Sequence, residues 1–200
     1  MTMNSVRTKR AFTLVELMIV VAIIGVLAAL AVYGVGRYLG SSKTSEAKQT
    51  IGAISRAAQA AFERENAMSE DLAEGTFAAT ASHMLCGPAQ PVPAGAVPPG
   101  RKYQPKTSNG DDYDSGSENT GWKCLRFGMT QPHYYQYNYS KDKAVQSSTN
   151  PAACNANCYE AAAFGDIDAD MVLSQFSQTG KIANGELKKA TQLYVDNEYE

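Results

Sequence analysis

The chain has 200 residues, of which 44% are apolar and 19% charged, a balance that excludes wholesale disorder. Its 18 Lys+Arg stand against 20 Asp+Glu, a formal charge of −2, so no basic excess marks nucleic acid as the main partner. Residues 17–36 carry no charge, yet the mean hydropathy of the whole is −0.30. A simple soluble globule is excluded.

The uncharged run reads LMIVVAIIGVLAALAVYGVG. Twenty such residues in a helix span roughly 30 Å, the thickness of a bilayer's hydrocarbon core. Arg7, Lys9 and Arg10 precede it and Arg37 closes it. The cations before the run place the N-terminus in the cytoplasm and the bulk of the chain across the membrane. A secretory signal peptide has a shorter apolar core, about 7–15 residues, ending at small residues. This run is longer and passes through Tyr33 and Arg37 into a segment with helical rhythm, in which Ile51, Ile54, Ala58 and Ala61 or Phe62 recur at steps of three and four. No proline occurs before Pro88. The expectation is one long helix over residues 12–65, apolar all round in its first half (12–36) and amphipathic in its second (37–65).

Lys9-Arg10-Ala11-Phe12-Thr13-Leu14-Val15-Glu16-Leu17, followed by the apolar run, resembles the processing site and N-terminal helix of type IV pilins and pseudopilins. The shared pattern is a short basic leader, a small residue, Phe, and an acid five positions into the hydrophobic segment. It covers residues 9–64. The resemblance implies cleavage between Ala11 and Phe12 by a prepilin peptidase, loss of residues 1–11 as a leader peptide, and N-methylation of Phe12. Two departures stand out: Ala11 replaces the usual Gly before the cut, and Tyr33 occupies a position where many relatives carry Pro, which removes one cause of a helix kink.

Glu16 is an acid in an apolar run, a costly placement that eases near the membrane edge. It reads either as a carboxylate snorkelling to the interface beside a helix N-terminus or, as the resemblance implies, as the partner of a neighbouring subunit's Phe12 amine during assembly. Gly25 with Ala29, and Gly36 with Gly40, place small residues four apart, a spacing that lets helices approach closely.

Past the helix, residues 67–81 are small and mildly acidic and read as a loop. Six of eight prolines fall in a segment at 86–110, a density that excludes regular helix or central strand. Strand signals follow at residues 124–129, at 133–140 (where Tyr135, Tyr137 and Tyr139 alternate), at 161–167 and at 171–177. Residues 186–199 suit either helix or strand. The expected fold is α+β: a long N-terminal helix packed on a small antiparallel sheet in a head spanning 66–200, as in the pilin fold.

Cys86, Cys124, Cys154 and Cys158 read as two disulfides outside the cytoplasm, with three connectivities open. The nearness of Cys154 and Cys158 favours pairing them, which leaves Cys86 with Cys124. His83 and His133 lack a zinc spacing. Asp166, Asp168 and Asp170 alternate as at the start of a calcium loop, but the turn-forming Gly is missing and the twelfth position is Ser177 rather than Glu. A solvated acidic turn is the first reading and a looser calcium site the second; no other cofactor is expected. No catalytic motif stands out, so the chain is not read as an enzyme.

The resemblance implies a structural role as the major pilin of a type IV pilus serving motility or adhesion. Its partners would be further copies of itself in a helical polymer, the inner membrane before assembly, the prepilin peptidase, an assembly platform with cytoplasmic extension and retraction ATPases, and an outer-membrane secretin. The runner-up is a pseudopilin of a type II secretion system or a minor pilin. A monomeric membrane-anchored binding module is the third reading.

Overall fold

The computed structural model describes residues 12–64, 83–152 and 154–198. Two compact units meet inside the first helix, Met1–Ser41 and Ser42–Glu200. Residues 67–81 lie outside the described residues.

The first unit is helical. Helix α1 runs Leu14–Glu63, and every residue from 12 to 39 is exposed. Gly25, Gly34 and Gly36 do not interrupt it. The helix is long and apolar enough to cross a membrane.

In the second unit α1 becomes one-sided. Thr44, Ala47, Ile51, Ile54, Ser55, Ala58, Ala61 and Phe62 are buried, a stripe with the 3.6-residue period of a helix face. The stripe shares one core cluster with Tyr135, Tyr137, Tyr139, Tyr159, Ala161, Ala163 and Phe176. Large rings on the flanking strands frame two central alanines, so bulk and hollow alternate beneath the helix.

Among the described residues, six strands form one antiparallel sheet: β1 (Ala89–Val92), β2 (Gln136–Lys141), β3 (Cys158–Gly165), β4 (Ser174–Ala183), β5 (Glu186–Lys189) and β6 (Tyr194–Asp196). The order is β1-β2-β3-β4-β5, and β6 also pairs with β4. The first half of β4 takes β6 through Phe176↔Val195, and its second half takes β5 through Ile182↔Leu187. Residues 186–199, which suited helix or strand, thus hold two short strands side by side along one neighbour. Asn184 and Gly185 both have positive φ, the conformation of a two-residue hairpin turn.

The proline-rich segment contributes only an edge strand. β1 pairs with β2 alone, where Pro91 breaks no central ladder. Its register slips between Ala89↔Tyr139 and Val92↔Tyr137, the extra residue of a bulge.

One strand expectation is corrected. Residues 124–129 are not a strand: helix α2 spans Gly121–Leu125. The alternation of Leu125, Phe127 and Met129 mimics a strand, but packing decides the outcome. Trp122 is fully buried, with its indole N–H donating to the Gln90 carbonyl at 2.8 Å. Leu125, one turn on, is buried beside it. Arg126 then ends the helix in the left-handed region, at φ 53°.

β3 is buried on both faces. Its outward side meets Val145 and Val97 through Ala162 and Phe164, and holds the fully buried Glu160. That carboxylate accepts from the Val145 N–H at 2.8 Å and the Ser148 hydroxyl at 2.7 Å. Thr149 donates its N–H and hydroxyl to Gln175 Oε1, and Asn150 donates to Ser177 Oγ. The β2–β3 connection therefore covers the sheet with hydrogen bonds, which offset the cost of burying its polar groups.

Two rings sit over glycines on neighbouring strands. A Cβ at Gly180 would meet Tyr159 ring carbons at 2.3 and 2.7 Å, and one at Gly165 would meet Tyr135 at 2.4 Å. Both rings are fully buried and have no room to yield. Gly180→Ala is expected to lower stability by about 1–3 kcal/mol through overpacking, read by denaturant unfolding of the detergent-solubilised chain.

Candidate functional site

At the head of α1, Thr13 and Glu16 hold each other. The Thr13 N–H and hydroxyl both donate to Glu16 Oε2 at 2.8 Å, and the Glu16 N–H donates to Thr13 Oγ1 at 3.2 Å. This is a capping box, in which two otherwise orphaned N–H groups at the helix start are satisfied reciprocally. The Thr-x-x-Glu spacing that signals it is present in the sequence at 13–16, though the apolar run dominates that segment. Glu16 Oε1 accepts no hydrogen bond among the described residues. Phe12 is 82% exposed, and Ala11 lies outside the described residues.

Beyond the box, Leu14, Val15, Leu17, Ile19, Ile24, Leu27 and Leu30 are all more than half exposed. Added methyls at Gly25, Gly34 or Gly36 would touch nothing within 4 Å. Packing among the described residues therefore does not require glycine there, and the Gly25/Ala29 and Gly36/Gly40 pairs keep their helix-approach reading.

In the head, Cys86 is bonded to Cys124 and Cys154 to Cys158, with Cα separations of 5.8 and 5.6 Å. The first bond ties the segment before β1 to α2, and the second closes the base of the β2–β3 connection. The histidines serve packing. His133 is buried, its Nδ1 2.6 Å from the Tyr135 carbonyl and its Nε2 3.2 Å from the Tyr113 hydroxyl. Burial holds its pKa below the usual imidazole range. His83 Nδ1 lies 3.0 Å from the Phe62 carbonyl.

Tyr135, Tyr137 and Tyr139 are inside the core rather than on a binding face, and burial pushes their phenols well above the usual range. They stay neutral and act as packing. Asn138, in the Asn-Tyr-Ser sequon, lies within β2 and is buried. Asp166, Asp168 and Asp170 fall in the β3–β4 connection with carboxylate oxygens within 4.8 Å of one another.

Thr13→Ala removes one side of the capping box. It is expected to cost the helix start about 0.5–2 kcal/mol, seen as faster hydrogen exchange at the amides of Val15 and Glu16 while those of Ile51 and Ile54 are unchanged.

A model of the prokaryotic N-terminal methylation motif matches residues 6–32. The chain is 45% identical over 69 residues to the type IV major pilin protein PilA of Myxococcus xanthus (strain DK1622). That match covers 34% of this chain and 31% of the relative, so the chain spans under a third of that protein's length. No solved structure matches the chain. Residues 12–32 of the methylation-motif match lie on the capped, unburied helix described above, and over that N-terminal segment the chain is similar to a type IV pilin.

Proposed function

We propose that this chain is the major subunit of a type IV pilus, a noncovalent helical polymer serving surface motility or adhesion. The observation that carries the reading is the first half of α1, whose apolar side chains have no cover among the described residues. Such a surface needs lipid before assembly and other copies afterwards. Each Leu, Ile or Val gains about 0.3–0.6 kcal/mol on insertion, so several offset one carboxylate costing about 2.5–3.5 kcal/mol at the bilayer centre.

Cleavage between Ala11 and Phe12 by a prepilin peptidase would create an ammonium at Phe12, and methylation leaves it charged. In a water-free filament core an unpaired charge is strongly unfavourable. Glu16 supplies the counter-charge: Oε2 caps its own helix while Oε1 is open to the amine of a neighbouring subunit. The pair sets the axial register, and apolar packing supplies most of the cohesion. Similarity to a named major pilin supports the same reading. The assembly platform, its ATPases and an outer-membrane secretin follow from it as partners.

Glu16→Ala tests the proposal. Processing is expected to continue and the protein to reach the membrane, while sheared surface filaments fall to a small fraction of wild type. Abundant normal filaments from this variant would overturn the pairing. Processed protein confined to membranes in the wild type would instead favour a pseudopilin or minor pilin.

A further inference from the structure

Tyr134 gathers two cations from distant parts of the chain. Lys43 Nζ, on α1, lies 4.6 Å from its ring centroid, and Lys102 Nζ lies 5.0 Å from it. Each contact is a cation–π attraction, which positions the ammonium without neutralising it. Among the described residues neither lysine makes an ion pair, and the exposed Arg101 beside Lys102 makes none either. The half-buried Glu46 feels the Lys102 charge, and its Oε1 accepts from the Tyr134 N–H at 3.1 Å. Glu46 offsets one of the three positive charges at most. Like charges brought together in this way repel one another, and an anion relieves them.

The place of the cluster in the chain indicates which anion. Lys43 comes seven residues after Gly36, the end of the uncharged run, and five after Tyr38. Tyr33 and Tyr38 are both exposed, and tyrosines at the end of an apolar helix mark the headgroup level of a membrane. Seven residues of helix rise about 10 Å, and a polar layer of roughly 5–8 Å borders the hydrocarbon on each side. A lysine stem spans the difference, so Lys43 is tethered within reach of lipid phosphates. The exported flanks of membrane helices are ordinarily poor in Lys and Arg, which makes a gathered pair there a feature that needs a reason.

We propose that Lys43, Lys102 and Tyr134 form a site for the headgroup of an anionic phospholipid, with Arg101 at its rim. The two ammoniums donate to the phosphate oxygens while the phenol ring holds them in place. A zwitterionic headgroup fits less well, because it brings an ammonium that the lysines repel. Nucleic acid is disfavoured by the −2 charge of the whole chain. The contact holds the head on the bilayer and is broken when a subunit leaves the membrane. That consequence rests on the pilus reading, whereas lipid binding is measured on the purified chain without assembly.

The test is native mass spectrometry of the full chain in a neutral detergent, with phosphatidylglycerol or phosphatidylcholine added at equal concentration. Phosphatidylglycerol is expected to be retained about 30-fold more strongly, the factor for two lysines beside an anionic surface. Lys43→Gln with Lys102→Gln is expected to lose that preference, and Lys43→Arg with Lys102→Arg to keep it. Lys102 is exposed, so Lys102→Gln alone keeps the fold and is expected to lower the preference about fivefold. Equal retention of the two lipids by the wild-type chain would overturn the proposal, as would an unchanged preference in the double Gln variant. Displacement of the lipid by millimolar inorganic phosphate would also overturn it, assigning the site to free anions.

Discussion

A helix whose first half cannot be left in water is the constraint on which this molecule depends. From Phe12 to Leu39 the side chains are exposed and almost all apolar. No core formed by the described residues takes them in. The head is a self-contained unit with its own core, so the exposed surface is not a folding defect. It is an unmet requirement for an environment, which the proposed pilus role meets with lipid and then with other subunits. Against that background a charge at Glu16 is tolerated because Thr13 donates to it twice at the helix start. In the proposed assembly, the second oxygen of the same carboxylate serves between subunits.

The head solves a different problem with the second half of the same helix. Ala47, Ile51, Ile54 and Ala58 lie on a sheet face where tyrosine rings surround Ala161 and Ala163. Small residues on both partners let the backbones approach, and the rings fill the margins. The opposite sheet face is closed by polar means, through Glu160, Gln175 and Ser177 under the β2–β3 connection. Disulfides hold the two segments that lack a strong core of their own, at Cys86–Cys124 and Cys154–Cys158.

The helix and the central strands were legible because their signals are local and periodic. Twenty uncharged residues, a Lys-Arg-Ala-Phe-Thr junction and an acid at 16 need no tertiary information. Tyr135, Tyr137 and Tyr139 marked β2 by alternation alone. Other elements were hidden by tertiary choice. Leu125, Phe127 and Met129 alternate like a strand, yet burial of Trp122 wound the segment into α2. Strand β4 was read too early because Met171, Val172 and Leu173 are apolar; in the fold they are exposed, and the strand begins at the buried polar pair Ser174 and Gln175. Hydropathy misleads where polar groups are buried against one another. For the same reason no local pattern separates the buried Asp166 from its solvated neighbours Asp168 and Asp170, and the Thr13–Glu16 box is masked by the apolar residues around it.

The central claim is that the uncovered helix becomes the core of a polymer after processing before Phe12. Mass spectrometry of the N-terminal peptide from filaments sheared off the cell surface tests it most directly. The account predicts an abundant peptide beginning at N-methylated Phe12. Functional protein that still carries Met1 would contradict it and bring a membrane-anchored binding module to the front.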